Sequence, residues 1–121
     1  MDFKKQKPIY MQIADTLCER IMADKWSTDE RIPSVRDIAA TLGVNPNTAM
    51  RAFEYLQSNE IIYPRRGEGY FLDKQAKKQI IKLHRQQFMQ DEVPYFLNRM
   101  KMLGITWEDL QQASSQSHPA S

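Results

Sequence analysis

The first regular pattern in the chain predicts an α-helix that starts at residue 8. Proline there suits a first helical turn, where its missing N–H costs nothing. Apolar residues then recur at every fourth position, which places them on one buried helical face: Ile9, Ile13, Leu17 and Ile21. The polar residues 1–7, which include three lysines, are expected to form a mobile arm before this helix.

Two further helices are predicted next, joined by a tight turn. Ser34 and Asp37 have the spacing of a capping box, in which each side chain accepts a hydrogen bond from a backbone N–H of the other residue. Gly43 suits the left-handed residue that ends a helix, and Asn45 with Pro46 marks the start of a third one. This layout is a helix-turn-helix, whose second helix enters the major groove of DNA.

A β-hairpin is predicted after the third helix. Ile61–Tyr63 and Tyr70–Leu72 have the residue types of strands, and the six residues between them include two arginines and two glycines. Three helices followed by a hairpin are the order of a winged helix-turn-helix. The predicted fold class is therefore mainly α with a small β-hairpin (α+β).

Beyond the hairpin, two short helices are predicted, one basic and one with an apolar stripe that ends at Gly104. Thr106 and Asp109 open a last short turn. So short a region cannot bury both apolar faces, and a second copy of the chain is the simplest cover. The residues predicted to form this dimer interface are Phe88, Val93, Phe96, Leu97, Met100 and Leu103.

These patterns divide the chain into three regions. They are a winged helix-turn-helix domain at 1–73, a two-helix dimerisation or effector-like region at 74–112 and a disordered tail at 113–121. The chain has no stretch of the ~20 apolar residues that a membrane helix needs, and no secretion signal is recognisable. Its one cysteine, Cys18, cannot form an internal disulfide, which favours a reducing cytoplasm.

No catalytic, metal or cofactor site is predicted. His84 and His118 lack the neighbouring Cys, His or acidic residues that a metal site needs, and the sequence contains no recognisable nucleophile–base pair, paired acids or phosphate-binding loop. An enzyme is therefore not expected. Whether a small-molecule effector exists is left open by the sequence.

Bulk charge gives no support to DNA binding. The net charge is +2, and residues 1–73 have ten Lys or Arg against eleven Asp or Glu, whereas residues 74–121 have seven against four. A winged helix used for protein contacts is thus an open alternative. Under the DNA interpretation, recognition must depend on a few well-placed cations.

Several segments resemble the GntR family of bacterial transcriptional regulators in register over residues 8–72. They are Pro8-Ile-Tyr-x-Gln-Ile13, Ile32-Pro-Ser-Val-Arg-Asp-Ile-Ala39, Leu42-Gly-Val-Asn-Pro-Asn-Thr48, Arg51-Ala-Phe53 and Gly67-Glu-Gly-Tyr-Phe71. The short C-terminal region is similar to that of the YtrA-type subfamily. The resemblance implies a homodimeric repressor that binds an inverted-repeat operator, and control of a transporter operon. The chain departs from many members at Met50, where they have an arginine.

Ten residues are predicted to contact double-stranded DNA: Ser34, Arg36, Asn45, Asn47, Thr48, Arg51, Arg65, Arg66, Gly67 and Gly69. The resemblance places Arg36 at the DNA. The next four lie at the start of the recognition helix or one turn later, where side chains reach base edges. The last four form the wing, in which arginine suits a narrow minor groove and glycine permits close approach of the backbone.

Each of these assignments has a purely structural alternative. Arg36 would pair with Asp37, and Asn45 would only cap its helix. Arg51 would pair with Glu54 or lie against Tyr55. The wing would be an ordinary hairpin turn whose glycines adopt positive φ.

Overall fold

A computed structural model describes residues 7–116 of the chain. They form two compact units that divide between His84 and Arg85. Of the predicted mobile arm, residues 1–6 lie outside the described part. Lys7 is held in place, since its Nζ lies 2.8 Å from a carboxylate oxygen of Asp15. None of the helices in the described part is long and apolar enough to cross a membrane.

The elements confirm the predicted fold class, with a two-stranded antiparallel hairpin among helices. In chain order they are α1 (Ile9–Met22), α2 (Val35–Leu42), α3 (Pro46–Ser58), β1 (Ile62–Arg65), β2 (Gly69–Leu72), α4 (Ala76–Gln87), a π-helical turn (Phe88–Glu92), α5 (Val93–Met102) and α6 (Trp107–Gln116).

The first unit has one hydrophobic core, to which every element up to α4 contributes. Leu17 of α1, Ile38 of α2 and Phe53 of α3 are almost fully buried in it. The ring of Phe53 lies edge-on to that of Tyr70, with centroids 5.0 Å apart, and so joins the hairpin to the third helix. Burial of this kind stabilises the two helices of the helix-turn-helix, α2 and α3, which are too short to be stable alone.

Local interactions fix where the helices of the first unit begin and end. Ser34 and Asp37 form both hydrogen bonds of the predicted capping box. Gly43 ends α2 with a φ of 66°, a left-handed conformation that glycine adopts without a Cβ clash. The side chain of Asn45 accepts a hydrogen bond from the backbone N–H of Asn47, so α3 begins as predicted.

The hairpin differs slightly from the prediction, because β1 extends to Arg65 instead of ending at Tyr63. Arg65 pairs with Gly69, which leaves only three residues in the turn. The segment before α2 also joins the edge of β2, since the Ile32 N–H donates to the Tyr70 carbonyl at 3.0 Å. The wing is therefore tied to the helix-turn-helix through its backbone.

The region after the hairpin has more helix than the two predicted segments. The predicted basic helix corresponds to α4, which changes at Phe88 to a π-helical turn, in which the Val93 N–H donates to the Phe88 carbonyl. The cause is Pro94, which lacks an N–H and whose ring needs space from the preceding turn.

The tail prediction is wrong for residues 113–116, which belong to α6. A second capping box starts this helix, with Thr106 and Asp109 exchanging hydrogen bonds of 2.9 and 3.1 Å. Ala113 is a strong helix former, and the hydroxyl of Ser115 bonds to the carbonyl one turn earlier, so nothing stops the helix there. The rest of the predicted tail lies outside the described residues.

Candidate nucleic-acid interface

The side chains of Ser34 and Asp37 cap the start of α2, and the Ser34 hydroxyl keeps one hydrogen-bond donor that the cap does not use. The Ser34 hydroxyl oxygen, 3.1 Å from the Asp37 nitrogen, accepts that N–H, and the Asp37 carboxylate accepts the Ser34 N–H at 3.2 Å. Both side chains are exposed, yet both serve the cap. Ser34 retains its O–H as a donor, which is the group that a phosphate oxygen would accept.

Arg36 is exposed on the first turn of the same helix. In the part of the chain that the structure describes, no carboxylate lies within ion-pair distance of its guanidinium. The alternative in which Arg36 pairs with Asp37 is therefore not the arrangement found. All five guanidinium N–H groups remain available for a phosphate or a guanine edge.

The recognition helix α3 begins with side chains of unequal availability. The Asn45 side-chain oxygen is 2.8 Å from the Asn47 nitrogen and caps the helix, as its alternative interpretation stated. Asn47 is exposed, whereas Thr48 is half-buried. Of the three, Asn47 has a complete amide facing solvent.

Arg51 lies one helical turn after Asn47 and is exposed. Its guanidinium carbon lies 4.3 Å from the centroid of the Tyr10 ring, on α1. Neither predicted structural alternative, an ion pair with Glu54 or a stack on Tyr55, is the contact found. Residues four apart on a helix share a face, so Asn47 and Arg51 present donors side by side.

The two wing arginines differ in their surroundings. The Arg65 guanidinium carbon lies 4.0 Å from the centroid of the Phe71 ring, and its Nη2 donates to the Tyr63 hydroxyl at 3.2 Å. Arg66 is exposed in the turn itself. Arg65 is thus held against the hairpin, and Arg66 is the arginine at the tip.

The wing glycines have the positive φ that their structural alternative requires, 78° at Gly67 and 103° at Gly69. Gly69 also has a packing constraint, since a Cβ there would lie 2.7 Å from Cδ of Arg31. Arg31 forms an isolated β-bridge with Phe71 and has an exposed side chain. It adds a cation at the base of the wing, directly before the Ile32–Ala39 segment, that is not among the ten predicted contacts.

The residues predicted to form a dimer interface are mostly exposed within the single chain. Phe88, Phe96, Leu97 and Leu103 are exposed and Val93 is half-buried, whereas Met100 is buried. Met100 therefore already packs within its own chain. Other large apolar side chains of the second unit are exposed as well, namely Met89, Met102, Ile105 and Trp107.

Comparison with known proteins agrees with this geometry. A family model described as "Bacterial regulatory proteins, gntR family" matches residues 9–72. The uncharacterized HTH-type transcriptional regulator YhcF of Bacillus subtilis is 33% identical over 108 residues, which are 89% of this chain and 88% of YhcF. The HTH-type transcriptional repressor YtrA of the same organism is 31% identical over 81 residues, or 67% of this chain and 62% of YtrA.

Solved structures show the same architecture. A GntR-family regulator from Bacteroides thetaiotaomicron has 40% sequence identity and a TM-score of 0.79, covering 90% of this chain and 95% of its own. The DNA-binding domain of AraR, in complex with operator ORR3, has 28% identity and a TM-score of 0.51 over 54% of this chain and 78% of its own. These relatives are transcriptional regulators rather than enzymes. The chain belongs to the GntR family, with similarity to YtrA, and is a DNA-binding transcriptional regulator with a winged helix-turn-helix fold.

Proposed function

We propose that the protein is a repressor that binds an inverted-repeat operator as a homodimer. The observation that carries this proposal is the exposed polar edge of α3, where Asn47 and Arg51 lie one turn apart with donors facing solvent. Amide and guanidinium groups are the side chains that read adenine and guanine edges in the major groove. The complex of AraR with its operator supports this use of the fold.

The proposed contacts divide into three kinds. Arg36 and the Ser34 hydroxyl bind phosphates beside the groove, and Asn47, Thr48 and Arg51 read bases. Arg66 enters the minor groove at the wing. The proposal also includes the remaining four predicted contacts, which are Asn45, Arg65, Gly67 and Gly69. Asn45 and Arg65 would reach the DNA through the polar groups that their intramolecular contacts leave free.

The homodimer is proposed from the second unit. Phe96 is 51% exposed and Leu103 63%, although both are large and apolar. Large apolar side chains exposed two turns apart along one helix are typical of an interface that a second chain covers. A two-fold axis would then present two recognition helices to two half-sites, one helical turn or more apart.

Repression and its target are proposed from the resemblance to YtrA, which is described as a repressor. Resemblance to that branch favours control of a transporter operon, and the place of action would be the cytoplasm, where a bacterial chromosome lies. Selection of bound sequences from random DNA tests the operator. An enriched palindrome upstream of this gene is the expected result, and enrichment of no palindrome would contradict the proposal.

A pair of double variants tests the proposed contacts. The double variant Arg36→Ala with Arg51→Ala should weaken operator binding by a factor of about 100 or more. It should also reduce the slope of log K against log salt concentration by at most about two, which corresponds to two phosphate contacts. Lys82→Ala with Arg85→Ala removes the same charge from exposed positions outside the proposed contacts and should leave binding within about threefold. Equal affinities for the two double variants would contradict the contacts and favour a winged helix that binds protein.

A further inference from the structure

Tyr10 lies on the first turn of α1 and contacts the recognition helix from outside it. The centroid of its ring is 4.3 Å from the Arg51 guanidinium carbon. Its centroid is also 5.9 Å from that of Tyr55, at an interplanar angle of 74°. Tyr10 is half-buried and packs against the hydrophobic core. Both contacts are with α3: the Tyr10 ring meets an aromatic ring at one position of that helix and an exposed cation one turn earlier.

The stack restricts Arg51 without using its hydrogen-bond donors. The attraction between a guanidinium and the face of a ring needs no hydrogen bond, and among the described residues none accepts a hydrogen bond from Arg51. An ion pair with Glu54 would have engaged those donors. A free arginine side chain also has many rotamers, and ordering them on binding opposes association.

We propose that Tyr10 is a positioning residue that fixes the Arg51 guanidinium in the orientation in which it meets the DNA. This inference rests on the proposed role of Arg51 in binding DNA. The wing shows the same device on a separate element, where the Arg65 guanidinium carbon lies 4.0 Å from the centroid of the Phe71 ring. Tyr10 thereby gives the first helix, which carries none of the predicted contacts, an influence on recognition.

A double-mutant cycle on the selected operator tests the proposal. Tyr10→Leu removes the aromatic face and should weaken binding about tenfold, whereas Tyr10→Phe keeps it and should bind within about twofold of the natural protein. In an Arg51→Ala background, Tyr10→Leu should cost less than about twofold, because the group that it positions is gone. Tyr63→Leu is the matched control, since the Tyr63 ring lies near Arg65, and its effect should be equal in both backgrounds.

The outcomes separate this inference from the proposed function. If Arg51→Ala binds like the natural protein, the DNA role of Arg51 is wrong and the inference fails with it. If Arg51→Ala weakens binding but Tyr10→Leu does not, or Tyr10→Leu costs the same in both backgrounds, only the positioning role is overturned. The Arg51 side-chain NMR signal of the free protein gives a readout without DNA. A ring-current shift in the natural protein and Tyr10→Phe, lost in Tyr10→Leu, supports the stack, and its absence from the natural protein overturns it.

Discussion

The two units use the same helical periodicity and reach opposite results. In the first unit, apolar residues of α1, α2 and α3 meet in one core, where Phe53 and Leu56 have no exposed surface. In the second unit, Phe96 and Trp107 are apolar and large but more than half exposed. A stripe of apolar residues thus predicts that a helix face is buried, but whether the same chain buries it depends on the tertiary structure.

The difference is large enough to be measured with one kind of substitution in both units. Phe53→Ala should lower the free energy of unfolding by about 3–5 kcal/mol, because it removes a fully buried ring from a packed core. Phe96→Ala should change it by less than about 1 kcal/mol in dilute monomer, since half of that ring already contacts water. Urea unfolding at low protein concentration checks both values, and similar losses would remove the contrast.

Thiol labelling sharpens the comparison through Cys18, which is buried in the first core. Burial raises the pKa of the Cys18 thiol to about 12, and the charges of Asp15 and Glu19 add to the effect. The thiolate is the reactive form, so at pH 8 the folded protein should react more slowly than the urea-unfolded chain by roughly a thousandfold, a factor of ten for each pKa unit.

The comparator for that measurement is Met102→Cys in the second unit, at a position that is 76% exposed. Its added thiol should react at nearly the rate of the unfolded chain. Fast labelling of Cys18 in the natural protein would show that the first core opens easily. The same shift affects stability: below about pH 9 the thiol is protonated in both states and stability is at its full value, and between about pH 9 and 12 stability falls because the unfolded chain releases the proton first.

A charge placed on the exposed apolar face tests whether a second chain covers it. Phe96→Glu should weaken self-association by about 2 kcal/mol or more, because a carboxylate would be buried without a partner. Asn98→Glu introduces the same charge two residues away, on another face of α5, and should leave association unchanged. Sedimentation equilibrium distinguishes them, and an unaltered mass for Phe96→Glu would exclude this face as the interface.

The smallest expected effect comes from the two capping boxes. Ser34→Ala should lower the free energy of unfolding of the first unit by about 1 kcal/mol, because an exposed N–H loses its partner. Thr106→Ala should leave that unit unchanged and increase hydrogen exchange only in α6, which has no buried residues. A loss of stability in the first unit from Thr106→Ala would show that the two units unfold together.

Local signals in the sequence predicted most of the fold. Ser34, Gly43 and Asn45 act within a few residues of themselves, so their roles are readable from spacing alone. Arg51 was assigned to the exposed edge of α3, but its contact with Tyr10 joins two helices and no local pattern predicts it. The π-helical turn before Pro94 was not predicted either, because a proline at that position is compatible with the start of a new helix and with a distortion of a continuous one.

The close approach of Arg31 to Gly69 links two positions that are distant in the sequence. A side chain at position 69 would both strain a φ of 103° and displace the Arg31 side chain that lies across it. The size of the side chain that fits at position 69 therefore depends on the length and placement of the side chain at position 31. A side chain larger than hydrogen at the base of the wing therefore requires the arginine that leads into α2 to move aside or to be replaced by a shorter residue.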